Sequence, residues 1–581
     1  MVSGGWLQRC REFAAASGVA SHCVQALEAF GGRGGDGGGG RGGDGGARFT
    51  SFEQVLAEAE EVLRVRGASL PELLSAEVDR DQAEMFARRL AALCCVLDDL
   101  GKRTAEGRIL KAGLGMRIEE ILGGANQGLA GSALRVRAII DYYHSTASVC
   151  LHRATAAAEG NRASRPSFGD LLQSIRWQRV ERGLFRCGIE TLTDAGPVRV
   201  SLLRFDRGRF RFRCTSVAEE MQRAKAEART APAGLARGLR VKRRQAAAAA
   251  PDPSGGLAAL ARKHHAVAAL SGGYFLYSEP DIELPSRRFD PVGLLVREGE
   301  VLSPPAYLRS AFIQDEELRT HIVRVGMKSV SIHWGSGRSI RVGAVNSPDA
   351  LASGVPTVFT RASGLPAVAH AGCSVTLVAR TVACVQRGPA PIPAGGFVLA
   401  LPPDPEWEEL AEDLKSAGEV RYALPPLPGV GSVVDAMGAG PLLVVQGKVA
   451  VDLEAEEFVG SAPPMTFSQD ETGDRNLLPR MAVGLTEEHA VVIAAVDGRN
   501  MERALGLTLH QTARVMKAAG CLSAMNLDGG SSKRLLLGDE VLDLPTTELV
   551  AGPDPSLRSR AVHTAVLVCR AGGDASATRA S

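Results

Sequence analysis

Two predicted strands joined by a helical segment constrain the fold of this chain more than any other feature. Residues 490–496 form a continuous apolar run, typical of a strand buried on both faces, and Leu522-Ser-Ala-Met-Asn-Leu527 is predicted as a second strand. Between them, Thr508 and Gln511 have the spacing of a capping box, and Gly520 stands where a helix commonly ends. The segment therefore predicts a strand–helix–strand unit of ordinary βαβ length; if its two strands are parallel, their carboxyl ends lie at the same edge of the sheet.

Each of the two predicted strands ends in an acidic turn. Asp497 opens the sequence Asp-Gly-Arg499, and Asp528 follows Asn526-Leu and opens Asp-Gly-Gly. The carboxyl ends of parallel strands meet at one edge of a sheet, and that edge is where open α/β sheets usually bind ligands. We therefore expect Asp497 and Asp528 to converge, together with Arg499 and Asn526.

Paired carboxylates beside a guanidinium suit glycosyl chemistry, so Asp497 and Asp528 are the candidate catalytic residues. Which of them acts as acid, base or nucleophile stays open. Arg499 can hold a phosphate with two parallel hydrogen bonds, and Gly529 and Gly530 let backbone N–H groups approach an anion. Because Asp-Gly is also a common turn signal, an ordinary structural loop is the alternative.

Further candidate residues lie elsewhere in the chain. Ser271-Gly-Gly-Tyr274 follows the apolar residues 266–270, and such a strand running into two glycines brings its backbone close to a ligand or to a neighbouring strand. Arg480 and Arg560 are candidate anion ligands. Isolated arginines are also common at surfaces and in ion pairs, which is the alternative for both.

These motifs follow one another in the order found in a known family. The matching segments are Ser271-Gly-Gly-Tyr-Phe275, Gly293-Leu-Leu-Val296 with Glu298-Gly299, residues 391–399, Gly440-Pro-Leu-Leu-Val444 with Gly447-Lys-Val449, Pro479-Arg480, Val496-Asp-Gly-Arg499, Gly506-Leu-Thr508 and Asn526-Leu-Asp-Gly-Gly-Ser531. The chain resembles the phosphodiester glycosidase family over roughly residues 183–572, with a poor match at 207–258. The resemblance implies a mixed α/β catalytic domain that hydrolyses a sugar-1-phosphodiester at the sugar–phosphate linkage.

The resemblance also implies roles for the residues that match the family's motifs. Asp497 and Asp528 would be catalytic. The implied substrate-binding residues are Ser271, Gly272, Gly273, Tyr274, Arg480, Arg499, Asn526, Gly529, Gly530, Ser531 and Arg560.

Several positions depart from the family's pattern. Ser271 stands where the family usually has Asn, and Ser531 where it usually has Gly. Lys533 and Arg534 replace small hydroxyl residues, and these added cations favour a more anionic ligand.

Changes in composition predict how the chain is organised. The fold class expected is α+β or mixed α/β, with a phosphodiester-glycosidase-like catalytic domain preceded by an N-terminal helical region. The glycine-rich stretch is too poor in apolar residues to build a core. The predicted segments are a flexible 1–48 with a glycine-rich linker, a helical domain or appendage at 49–165, the glycosidase-like domain at 183–572 with an insertion at 207–258, and a disordered tail at 573–581.

Composition narrows the possible partners and locations. The 581 residues carry a net charge of +2, which argues against a nucleic-acid partner. No uncharged apolar run reaches the length of a membrane span. The 11 cysteines form no C-x-x-C pair, and residues 1–11 lack a secretory pattern; both favour the cytoplasm, although the localisation is otherwise unknown.

The motifs demand no cofactor, and no ligand spacing demands a metal. The expected partner is a carbohydrate phosphodiester substrate, and a protein partner of the helical region is unknown. Two other hypotheses remain open from the sequence. The same fold could bind a glycan or phospho-glycan without cleaving it, or the 49–165 region could make the chain an interaction protein.

Overall fold

A computed structural model describes residues 166–193, 196–217, 220, 256–275, 291–335, 337–393, 395–458, 477–499, 503–544 and 562–571. Several predictions therefore lie outside the described residues. These are the glycine-rich linker, the 49–165 helical region, most of the 207–258 insertion, Arg560 and the 573–581 tail.

Short helices are interspersed among many strands. The α-helices that the structure describes are α1 Phe168–Gln173, α2 Leu257–Lys263, α3 Pro348–Ala352, α4 Pro405–Ala417 and α5 Leu509–Ala518. Single 3-10 turns lie at Met327–Ser329, Arg361–Ser363 and Gly530–Ser532.

The strands follow in chain order. The first fourteen are β1 Gln178–Glu181, β2 Leu184–Thr193, β3 Gly196–Phe205, β4 Phe210–Ser216, β5 Ala268–Ser271, β6 Leu295–Arg297, β7 Glu300–Ser303, β8 Arg309–Asp315, β9 Thr320–Val325, β10 Ser331–Trp334, β11 Arg338–Arg341, β12 Ala344–Val345, β13 Thr357–Phe359 and β14 Ala367–Val368. The others are β15 Cys373–Val378, β16 Thr381–Arg387, β17 Ala390–Pro391, β18 Gly396–Ala400, β19 Arg421–Ala423, β20 Val433–Gly438, β21 Leu442–Val445, β22 Lys448–Val449, β23 Arg480–Thr486, β24 Val491–Val496, β25 Cys521–Leu527, β26 Leu535–Leu537, β27 Glu540–Val541 and β28 Thr564–Arg570.

These strands form five sheets. Sheet 1 has the order β1-β2-β3-β24-β23-β25-β21-β22, and sheet 2 has the order β27-β26-β5-β28-β4. Sheet 3 runs β11-β10-β19-β7-β6-β20-β8-β9, sheet 4 runs β12-β13-β18-β15-β16, and sheet 5 is the pair β14-β17. Only the two-residue pair β12–β13 is parallel among the strand pairs in the described ranges.

The predicted α+β or mixed α/β fold class is therefore wrong for the described residues, which are mostly antiparallel β-sheet. The helical region that formed part of that prediction lies outside them. The prediction extended one strand–helix–strand connection to the whole domain. Most strands between β6 and β22 are too close in sequence for a helical crossover, and strands joined by short turns pair as antiparallel neighbours.

The strand–helix–strand unit itself is present in sheet 1. β24 and β25 each pair antiparallel with β23, which lies between them, so β24 and β25 run in the same direction. Thr508 and Gln511 form the predicted capping box of α5: the Thr508 N–H donates to Gln511 Oε1 over 2.9 Å, and the Gln511 N–H donates to Thr508 Oγ over 3.1 Å. Gly520 adopts a φ of 94°, as the predicted helix end requires.

The three largest apolar cores of the described residues lie on the faces of the sheets. One face of sheet 1 packs with sheets 2 and 3 around side chains such as Phe205, Phe312 and Met525. The other face of sheet 1 packs against α5 and α1. Sheets 3 and 4 enclose a further core with α4. None of the helices described is long and apolar enough to span a membrane.

Candidate functional site

The two acidic turns lie at the same edge of sheet 1. Because β23 is antiparallel to both β24 and β25, its first residue, Arg480, lies beside the last residues of its neighbours. Arg480 pairs with Val496, which directly precedes Asp497, and Met481 pairs with Leu527, which directly precedes Asp528. The edge predicted from the sequence thus holds Arg480, Asp497 and Asp528.

Sheet 2 contributes the Gly272–Tyr274 turn to this edge. The N–H of Asp528 donates to the carbonyl of Gly272 over 2.9 Å. Thr564 supports the turn from the other side, since its carbonyl accepts from the Gly272 N–H at 2.9 Å and its hydroxyl donates to the Gly273 carbonyl at 2.8 Å. The end of β5 and the end of β25 are therefore joined through backbone groups.

The paired glycines allow close approach of backbone to backbone. A Cβ on Gly273 would lie 2.3 Å from the carbonyl oxygen of Gly438, and one on Gly529 would lie 2.5 Å from that of Pro479. Neither position has room for a side chain. The sequence left two reasons for glycine at position 273, a ligand or a neighbouring strand. The structure shows the second, because the carbonyl of Gly438 in β20 leaves no room for a side chain.

Asp497 is buried and surrounded by donors. Only 1% of its surface is exposed. Its Oδ2 pairs with the Arg199 guanidinium and its Oδ1 with the Lys533 ammonium, while the Leu544 N–H also donates to Oδ1 over 2.9 Å. This carboxylate is turned into the protein and its charge is compensated there.

Asp528 has a different environment from Asp497. It is half-buried, and it opens the turn that continues through Gly529 into the 3-10 turn Gly530–Ser532. The Gly530 N–H donates to the Pro479 carbonyl over 2.9 Å, which anchors the turn beside Arg480. Asp528 is the more exposed of the two predicted catalytic carboxylates.

The side chains of Tyr274 and Asn526 are buried next to the edge and form a hydrogen bond with each other. The Tyr274 hydroxyl donates to the Gly440 carbonyl over 2.7 Å. The Asn526 side-chain amide donates to the Tyr274 oxygen at 3.2 Å, to the Gly440 carbonyl at 3.2 Å and to the Leu527 carbonyl at 2.8 Å. Burial raises the pKa of Tyr274 above its ordinary value; Arg309 opposes this rise and Asp528 adds to it. Tyr274 therefore stays protonated and acts as a donor.

The two arginines at the edge are held differently. Arg480 is 3% exposed, and its Nε donates to the Leu507 carbonyl over 3.2 Å. Arg499 is half-buried and takes a left-handed φ of 55°. Its Nη1 would lie 3.7 Å from a Cβ placed on Gly530, so the guanidinium extends toward the Asp528 turn.

The Ser271 hydroxyl faces inward. Ser271 is buried, its Oγ accepts from the Arg534 N–H over 3.2 Å, and its own N–H donates to the Arg534 carbonyl over 3.0 Å. Of the other predicted site residues, Arg560 lies outside the described residues, as does the side chain of Ser531.

Sequence reasoning missed the buried charges behind the edge. Lys533 and Arg534 are fully buried, and Lys533 pairs with Asp497 and Asp543. Reading Lys533 as a cation facing a ligand does not agree with this position. The sequence did contain a signal. Lys533 and Arg534 directly precede the apolar run that starts at Leu535, which indicates that the two cations are buried, and Asp543 follows as a counter-ion.

Glu456 was also missed. Its carboxylate accepts from the N–H of Ser310 at 2.8 Å and from the N–H of Leu442 at 2.6 Å, on either side of the Gly440 turn. No local motif marks this residue. Within the ranges that the structure describes, no group of three or more His, Cys, Asp or Glu side chains could hold a metal ion.

A family model covers much of this edge. Residues 378–569 match the model described as phosphodiester glycosidase. The resemblance to the phosphodiester glycosidase family is therefore confirmed over residues 378–569. The match supports a hydrolytic function of the phosphodiester glycosidase type. It includes both acidic turns, while Ser271–Tyr274 lies before it and joins the site through the Gly272–Asp528 hydrogen bond.

Individual relatives are distant. The SPbeta prophage-derived uncharacterized protein YomE of Bacillus subtilis (strain 168) is 33% identical over 78 residues, which is 13% of this chain and 12% of that protein. The chain thus spans about an eighth of the length of this curated relative.

Solved structures give weak similarities. A hypothetical protein from Synechocystis has a TM-score of 0.39 at 18% identity, with 68% of this chain and 63% of that chain covered. A putative exported protein from Burkholderia pseudomallei K96243 has a TM-score of 0.38 at 19% identity, covering 65% and 75%. The zebrafish N-acetylglucosamine-1-phosphodiester alpha-N-acetylglucosaminidase catalytic domain, auto-inhibited by its pro-peptide, has a TM-score of 0.32 at 12% identity, covering 68% and 85%. At these TM-scores the similarities establish neither the fold nor the activity of this chain.

Proposed function

We propose that the chain hydrolyses a sugar-1-phosphodiester at the sugar–phosphate linkage, with Asp528 as the catalytic carboxylate. The observation that supports this most is the contrast between the two acidic turns. Asp497 is enclosed by Arg199 and Lys533, whereas Asp528 is half-buried at the edge toward which Arg499 extends. A carboxylate beside a guanidinium is the pair of charges that this reaction needs.

The reaction breaks the bond between the anomeric carbon and the bridging oxygen, water supplies the new hydroxyl, and the remaining proton of the water passes to the departing phosphate monoester or to solvent. Asp528 would stabilise the positive charge that develops at the anomeric carbon. The departing phosphate monoester keeps the bonding electron pair, and Arg499 and Arg480 would neutralise its charge. Asp497 would not contact the substrate; it would affect the rate only through its ion pairs with Arg199 and Lys533, which fix the position of its turn.

Glycan or phospho-glycan binding without cleavage is the second candidate function. Two observations favour it: Ser271 stands where the family usually has Asn and its hydroxyl is engaged by Arg534, and Asp497 is enclosed by ion pairs. A site with only one accessible carboxylate can bind a substrate without turning it over.

The test is hydrolysis of a panel of sugar-1-phosphodiesters by the purified full chain and by Asp528→Asn. Asp539→Asn is the matched control, because it makes the same change in a side chain that is 78% exposed and follows the end of β26 that pairs with Ala268, opposite to the Ser271 end of β5. We expect the wild type and Asp539→Asn to cleave at least one member of the panel, and Asp528→Asn to lose turnover by a factor of about 10³ or more. Binding of a member without cleavage by any of the three proteins would favour the second candidate.

A further inference from the structure

Lys533 occupies an unusual position behind the candidate site. Its side chain is fully buried, yet its ammonium touches two acidic side chains from different parts of the chain. It pairs with Asp497, which follows β24, and lies 3.0 Å from Oδ2 of Asp543, which follows β27. A fully buried lysine is rare unless its charge is paired.

Each of the two carboxylates around Lys533 has a second cation. Arg199 also pairs with Asp497, and an Arg534 nitrogen lies 3.7 Å from Oδ2 of Asp543. Backbone groups complete the network, since the Leu535 N–H donates to Oδ1 of Asp543 over 2.6 Å. These buried ion pairs and hydrogen bonds connect the backbone segments that carry Asp497, Lys533 and Asp543.

The network connects the two turns of the candidate site. Asp497 lies two residues before Arg499, and Lys533 directly follows the 3-10 turn that Asp528 and Gly529 lead into. The Lys533–Asp497 pair is therefore a direct side-chain connection between the turn that carries Arg499 and the turn that carries Asp528.

We propose that Lys533 is a positioning residue, which fixes Arg499 and the Asp528 turn relative to each other through its pair with Asp497. This inference rests on the proposed function of Asp528 and Arg499. Without the ammonium, the carboxylate of Asp497 loses one of its two cations and attracts the neighbouring Arg499 guanidinium inward. A displacement of about 1 Å in a catalytic arrangement can cost a factor of about 100 in rate.

The experiment compares Lys533→Met, Asp497→Asn and the double variant with the wild type, all as full chains and at a temperature well below the lowest Tm. We expect kcat to fall about 100-fold in Lys533→Met and about 10-fold in Asp497→Asn. The double variant removes both the Lys533 ammonium and the Asp497 carboxylate, so Asp497 no longer carries a charge that could attract Arg499. Its kcat should therefore be about 10-fold higher than that of Lys533→Met. Lys263→Met, which removes an ion-paired lysine of α2, is the control and should keep the wild-type kcat and KM.

Three results would overturn the proposal. Lys533→Met with a lower Tm but the wild-type kcat and KM would make Lys533 only structural. Asp497→Asn as inactive as Asp528→Asn, with no recovery in the double variant, would show that Asp497 takes part in the chemistry directly. If Lys533→Met does not fold, Asp497→Asn decides, and a wild-type kcat in that variant would overturn the proposal.

A separate readout distinguishes failure of this inference from failure of the proposed function. If the wild type cleaves no phosphodiester, the proposed function fails, and calorimetric binding of inorganic phosphate then tests the position of Arg499. We expect Lys533→Met to weaken phosphate binding about 10-fold, and unchanged affinity would overturn the inference. A wild type that neither cleaves nor binds phosphate would overturn both.

Discussion

The N–H of Asp528 donates a hydrogen bond to the carbonyl of Gly272 over 2.9 Å. This contact joins the residue that follows β25 of sheet 1 to the residue that follows β5 of sheet 2. The candidate catalytic carboxylate is thereby held by backbone groups of two sheets. Its position depends on how closely the glycine turn of β5 can approach its neighbours.

Gly273→Ala should disturb this contact. The new Cβ would lie 2.3 Å from the carbonyl oxygen of Gly438, and backbone must move to make room. We expect a loss of about 1–3 kcal/mol in the free energy of unfolding and a lower kcat. Urea unfolding and hydrolysis assays measure the two effects.

Gly188→Ala is the control for that variant, because a Cβ at Gly188 has nothing within 4 Å. Its free energy of unfolding should stay within about 0.5 kcal/mol of the wild type. Equal effects of the two substitutions would show that close packing at Gly273 is not the cause.

Arg499→Lys should weaken phosphate binding. Lysine keeps the charge but cannot make two parallel hydrogen bonds in the plane of a guanidinium. We expect kcat/KM to fall about 10-fold or more, mainly through KM. Arg503→Lys changes an exposed arginine paired with Glu190 and should have little effect. Wild-type kinetics of Arg499→Lys would contradict the assigned role of Arg499.

Asp435 should make the stability of the fold depend on pH. Burial raises the pKa of Asp435 to about 6, while the backbone N–H of Cys214 and the cations of Arg211 and Arg213 act to lower it and Glu298 adds to the rise. The folded chain therefore binds a proton more tightly than the unfolded chain does. Stability is largest below the unfolded pKa of about 4, falls as the pH rises to about 6, and levels off above it, with a total loss of about 3 kcal/mol.

Asp435→Asn removes this dependence while keeping an oxygen that can accept from the Cys214 N–H, which lies 3.0 Å from Oδ1. The difference in unfolding free energy between Asp435→Asn and the wild type should therefore grow between pH 4 and pH 7. Urea unfolding at several pH values measures it. A constant difference over that range would contradict the raised pKa.

Local sequence patterns predicted those parts of the fold that depend on residues close together in the sequence. The Thr508–Gln511 capping box and the strand–helix–strand order of β24, α5 and β25 were predicted because both follow from short segments of sequence. The fold class was wrong because the insertion of β23 between those strands, and the antiparallel pairing elsewhere, depend on contacts between distant segments. The pairing of Lys533 with Asp497 and Asp543 could not be predicted for the same reason.

Asn526→Asp should damage the fold more than its small change in shape implies. The Asn526 amide donates to the Tyr274 oxygen and to the carbonyls of Gly440 and Leu527, so an ionised carboxylate would place a negative charge against two carbonyl oxygens. Removing the donor and adding an unpaired buried charge should cost about 3 kcal/mol or more. Tyr274→Phe, which loses two neutral hydrogen bonds, one to the Gly440 carbonyl and one from the Asn526 amide, should cost about 1–2 kcal/mol. Urea unfolding of both variants at pH 7 measures the costs, and a similar loss in the two would show that Asn526 does not hold the Gly440 turn through these bonds.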